Sequence, residues 1–117
     1  MREFTKAEKR QIKDIIQTGI LRRHAEWLQE VKTLIEKPYN DENEFDRSME
    51  VTKRSRDFYK EAMSLENYYR NTQIFFGMVY LMADGYLYET DLEILPDDIR
   101  HAVINLAQHH REIYDQD

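Results

Sequence analysis

The sequence contains no cysteine, and its 117 residues include only three Gly and two Pro. Without cysteine there is no disulfide, no thiolate metal site and no cysteine nucleophile. Scarce Gly and Pro argue against a turn-rich β architecture and for long helices. Gly19, Gly77 and Gly85 stand far apart, so neither a phosphate-binding P-loop nor a dinucleotide fingerprint can be written. H-E-x-x-H, the Glu-x-x-His pair of di-metal bundles and the G-x-S-x-G elbow are missing too. No catalytic constellation, required metal or cofactor is therefore expected. A spanning helix needs about 20 apolar residues, and no such run occurs. The opening MREFTKAEKRQIK is charged throughout and carries no secretory h-region. These absences point to a cytoplasmic, non-membrane protein.

What is present is a balanced, acidic chain, 41% hydrophobic and 34% charged, with a formal net charge of -6. That composition suits one globular domain over residues 1–117 and is too apolar for disorder. The charge is uneven: residues 1–37 hold nine Lys and Arg against six Asp and Glu, and residues 38–117 hold eight against seventeen. The simplest origin is a basic helix packed beside acidic ones, and the alternative is a basic surface for nucleic acid or an acidic partner.

Start and stop signals predict four helices. Thr5 and Glu8 match a capping box with Phe4 before it as a hydrophobic staple, and Pro38 closes the pattern. Between them Ile12, Ile15, Ile16, Ile20, Leu28, Val31 and Ile35 recur at helical spacing, so the first helix is expected over about 6–36. At about 1.5 Å per residue it would reach roughly 45 Å, so it must either bend near Gly19 or project its N-terminal turns. Asp41 with Glu44 can cap a second helix over 42–62, with a thin apolar face that includes Phe45, Met49, Val51, Phe58, Tyr59 and Met63. Ser64 can cap a third over 65–84, ended by Gly85, unless the second and third are one helix. Pro96 suits the first position of a fourth over 96–114, after the irregular YLYETDLEILP. The predicted fold is all-α, a single antiparallel bundle of about four helices.

The stretch IFFGMVYLMA over residues 74–83, ten residues without a charge, sits inside the third of these. On a helical wheel its apolar residues cover an arc of roughly 220°, with Gln73, Gly77, Tyr80 and Asp84 opposite. A surface helix needs a stripe of little more than about 100°, so at least two sides of this one must be covered. The cover comes either from the following loop or from a second copy of the protein. In the second case Phe75, Phe76, Met78 and Met82 form the interaction face; a cavity lined by the same residues is a third reading.

Two polar groupings have ordinary structural roles that compete with functional ones. Asp98, His101, Asn105, His109 and Glu112 share one face of the fourth helix, and the expected role is a solvated stripe rather than a metal site through His101, His109 and Glu112. His24 and His110 stand on apolar faces, where a hydrogen-bonded core histidine is the usual outcome and a polar site in the bundle core the alternative. Lys53, Arg54 and Arg56 with Arg22 and Arg23 are the best argument for nucleic acid, but Glu50, Asp57 and Glu61 dilute them. The leading expectation is a non-enzymatic interaction or self-association module using the third helix. The runner-up is a nucleic-acid-associated regulator, and the next a histidine metal or small-molecule site.

Overall fold

A computed structural model describes residues 2–38, 44–70 and 72–115. Among them are four helices and no strand: α1 (Lys6–Glu36), α2 (Glu44–Leu65), α3 (Ile74–Ala83) and α4 (Asp97–Asp115), with 3-10 turns at Glu66–Tyr69 and Glu89–Leu92.

The first helix begins and ends where its signals lie. Thr5 accepts from the Glu8 amide at 3.1 Å and Glu8 accepts from the Thr5 amide at 2.8 Å, which satisfies two otherwise orphaned donors. Phe4, just before this capping box, packs on the core with its ring 6.4 Å from Phe75 of α3. The second helix continues past its expected end, because Ser64 donates its hydroxyl back to the Lys60 carbonyl within α2 rather than capping a new helix. The third helix is consequently short, ten residues beginning at Ile74. It ends in a Schellman arrangement: Gly85 has φ +90°, its amide donates to Met82, and the Tyr86 amide donates to Leu81. Arg111 of α4 adds hydrogen bonds to the Met82 and Ala83 carbonyls, placing a cation at the negative end of α3. Pro96 stands just before α4 and accepts from the Arg100 amide. The proposed Asp41 cap lies outside the described residues.

The core is built by three helices and a loop, with α2 set apart. Ile12, Ile15, Ile16 and Ile20 of α1 meet Ile74, Met78, Val79, Leu81 and Met82 of α3 and Ile99, Val103 and Ala107 of α4. Leu87, Leu92 and Leu95 from the 86–95 segment complete it. Gly19 and Gly77 set the closest approaches. A Cβ on Gly77 would fall 2.8 Å from Tyr68 Cβ, and one on Gly19 would fall 3.1–3.3 Å from Leu81 and Leu87 side-chain carbons.

Beyond Ile20, α1 leaves this head and runs alongside α2. The excess length thus projects at the C-terminal end of α1, not at its N-terminal turns, because the isoleucine cluster and Gly19 anchor the N-terminal half. The radius of gyration is 17.6 Å, against about 13 Å for a compact domain of this length. The principal extents are 56 × 32 × 22 Å, so the molecule is a head carrying a two-helix arm.

Candidate interaction surface

The arm is held together by one stacked cluster and one cap. Trp27 of α1 stacks on Phe58 of α2 with centroids 4.8 Å apart, and His24 meets the same ring edge-on at 5.1 Å. Arg23 lies over Phe58 at 5.0 Å and donates to Glu61 at 2.7 Å. At the far end Arg47, buried, donates to the carbonyls of Ile35 and Pro38, satisfying the C-terminus of α1 with a cation. The pairs 23 with 61, 27 with 58 and 35 with 47 run in opposite sequence order, so the arm is an antiparallel helical hairpin.

A polar joint ties arm to head. Arg22 donates to both carboxylate oxygens of Asp91, at 2.7 and 3.1 Å, and to the Tyr86 carbonyl at 3.0 Å. That guanidinium holds the Asp91 carboxyl below the usual carboxylate range. The Tyr86 hydroxyl donates to Glu26 at 2.8 Å; its burial and that carboxylate push it up to about 12.

These contacts use one face of α2 only. Arg47, Val51, Phe58, Ala62 and Leu65 are buried or half-buried toward α1. Phe45, Met49, Tyr59 and Met63 fall about half a turn away at about 100° per residue and are more than half exposed, Phe45 at 71%. What reads in sequence as one thin apolar face is therefore two faces, of which the chain covers one. On α1, Leu21, Leu28 and Ile35, seven residues apart, are likewise exposed, Leu28 at 67%.

The residues expected to form an interaction face on the third helix divide. Met78 and Met82 are buried in their own chain, between α1 and α4, and belong to no outer surface. Phe75 is half-buried and Phe76 is 47% exposed, in a chain of ring contacts from Phe75 through Phe76 and Tyr80 to His110. The wide apolar arc is covered by α1, by α4, by Tyr68 pressed on Gly77 and by the buried Leu87 next to Leu81 and Gly19. Gly77, on the supposedly polar side, is buried because it is the point of closest packing.

The other candidates carry less. His101, His109 and Glu112 are exposed on α4, and no three His, Asp or Glu side chains converge as a metal site among the described residues. His24 and His110 are half-buried against aromatic rings rather than placed in the core. Of the cations that suggest nucleic acid, Arg22 and Arg23 are occupied by Asp91 and by Glu61, Glu26 and Glu30, and Arg54 lies 3.7 Å from Glu50. The groove between α1 and α2 beside Trp27 has a volume near 200 Å³ and is lined mainly by charged side chains of both signs. The larger hollow of about 500 Å³ along Glu26, Gln29, Glu30, Thr33, Leu34 and Arg54 is a shallow depression open to solvent, not the enclosing apolar cleft of an ordinary ligand site. Among the described residues no helix is long and apolar enough to cross a membrane. What remains as a candidate site is the open apolar face of the arm, and no protein-family model, curated protein or solved structure matches the chain to say what covers it.

Proposed function

We propose that this chain is a non-enzymatic helical interaction module that self-associates. One observation supports the reading above the rest: the arm keeps Leu28, Ile35, Phe45, Met49, Tyr59 and Met63 more than half exposed. Single exposed apolar residues are ordinary, but soluble monomers seldom carry contiguous apolar patches beyond several hundred Å². Burial of such surface against another chain gains roughly 25 cal/mol per Å² before the cost of association is subtracted. Mixed-sign charges pair along the arm and leave no dense cationic stripe, which favours a protein surface over nucleic acid as the partner. Sedimentation velocity across a hundredfold concentration range tests the reading. A dimer or larger species that dissociates on dilution is expected; a monomer at every concentration overturns it.

A further inference from the structure

The open face of α2 has a register of its own. Phe45, Met49, Thr52, Arg56, Tyr59 and Met63 are spaced by 4, 3, 4, 3 and 4 residues, the a/d pattern of a coiled-coil seam, and every one is exposed. The stripe is also symmetric about Arg54: Phe45 and Met63 each lie nine residues from it, Met49 and Tyr59 five, Thr52 and Arg56 two. Building on the self-association reading, we infer that α2 docks antiparallel on α2 of a second copy of this chain, with the two-fold axis passing beside residue 54.

A two-fold axis makes an interface self-complementary, so whatever residue i meets, its counterpart meets in return. In this register Phe45 faces the second copy's Met63, and Met49 faces the second copy's Tyr59. Both apolar layers are therefore methionine–aromatic pairs, a contact that the polarizable thioether favours. The middle layer sets Thr52 against Arg56, a polar step that lowers affinity and fixes register, as polar core positions do in coiled coils.

Charge selects the direction. On one flank of the stripe stand Asp46, Lys53 and Lys60, all exposed; on the other stand the small Ser48 and Ser55, which let the helices approach. Run antiparallel, Asp46 lies beside Lys60 of the second copy, twice per dimer. Run parallel and in register, opposite flanks would face each other, so Asp46 and Lys60 would lose their pairing across the seam while Arg56 would meet Arg56 within it. Lys53 lies near its own image in the antiparallel pair, which weakens the seam but leaves the Asp46–Lys60 pairs and the separation of the two Arg56 side chains in its favour. From 45 to 63 the seam is roughly 27 Å long at about 1.5 Å per residue. One such seam falls toward the small end of specific interfaces, where association is reversible.

The lack of native cysteine makes the test clean. Ser55→Cys places a thiol next to the axis and should be cross-linked to its own image by a short bis-maleimide. Glu44→Cys places its pair about 30 Å apart and should not be. Equal cross-linking of both indicates a parallel pair and overturns the inference. A sedimenting dimer that neither variant cross-links also overturns it, while leaving self-association through another face. A wild-type monomer removes both readings, including the case in which an unlike protein covers the face. In full-length protein with unchanged helical circular dichroism, Asp46→Lys should raise the dimer dissociation constant at least tenfold. Adding Lys60→Asp should return it to within about threefold of wild type; failure of that rescue overturns the pairing.

Discussion

The two ends of α1 are a controlled comparison within one helix. From Ile12 to Ile20 its apolar residues are almost fully inaccessible, with Ile12 and Ile16 at 0% exposure; from Leu21 onward Leu28 and Ile35 are more than half exposed. The apolar spacing continues through both halves, so periodicity alone does not decide burial. What differs is the number of surfaces available. The N-terminal half packs on α3 and on the leucines of the 86–95 segment, whereas the C-terminal half has only α2 for apolar packing, its links to the 86–95 segment being polar bonds from Arg22 and Glu26. Substitutions in head and arm should therefore differ sharply in effect.

The largest effect is expected in the head. Met78→Asp would place a carboxylate where the side chain is fully buried, with a loss of more than about 4 kcal/mol, a large part of the stability of an ordinary domain. Circular dichroism and thermal melting should show a protein largely unfolded at 25 °C. A cooperative melt near that of wild type would mean that α3 is not the centre of the core.

A smaller contrast separates the two buried glycines. Gly77→Ala forces a methyl against the Tyr68 Cβ at 2.8 Å; overpacking of about 1–3 kcal/mol should exceed the gain in helix propensity of roughly 0.5–1 kcal/mol. Gly19→Ala meets only the ends of Leu81 and Leu87 side chains at 3.1–3.3 Å, which shift more easily, so its stability should stay within about 1 kcal/mol of wild type. Denaturant midpoints at constant m-value report both. The comparison fails if Gly19→Ala is the more damaging.

The joint between head and arm should register pH. Arg22 lowers the Asp91 carboxyl from its ordinary value. The contribution is therefore complete above the unfolded-state pKa near 4 and is lost as pH falls through the lower folded value. For a partly exposed pair it amounts to about 1 kcal/mol. At pH 7 Asp91→Asn should melt below wild type, and the gap should close as pH drops below 4. A gap independent of pH between 7 and 2 would mean that the carboxylate charge does not act there.

The least effect belongs to the exposed face of the arm. Leu28→Gln, at a residue 67% exposed, should alter the stability of the isolated chain by no more than about 0.5 kcal/mol. Urea melts at a concentration too low for association test this. A loss of several kcal/mol would show that the arm packs on the head after all.

Much of the architecture is legible in the sequence. The Thr5–Glu8 box and Pro38 bound α1, and Gly85 ends α3, because caps and positive φ are local requirements that a short stretch of residues states directly. The breadth of the 74–83 arc also correctly requires cover on several sides. The break between α2 and α3 is not legible: Ser64 has the chemistry of a cap, but a serine inside a helix satisfies its hydroxyl on the i-4 carbonyl equally well. Periodicity also merges the two faces of α2. The heptad spacing runs from Phe45 to Met63, but Val51 and Phe58 interleave with it and blur both stripes.

Composition and spacing alone determined an all-α chain without cysteine chemistry or a spanning helix, because those depend on residue identity and on neighbours a few positions away. Which apolar stripe is covered by its own chain was a tertiary decision. Met78 and Met82 became core and Phe45 and Tyr59 became surface because α1 and α3 close on each other at Gly19 and Gly77 with α4 packed on α3, while α2 packs chiefly on α1.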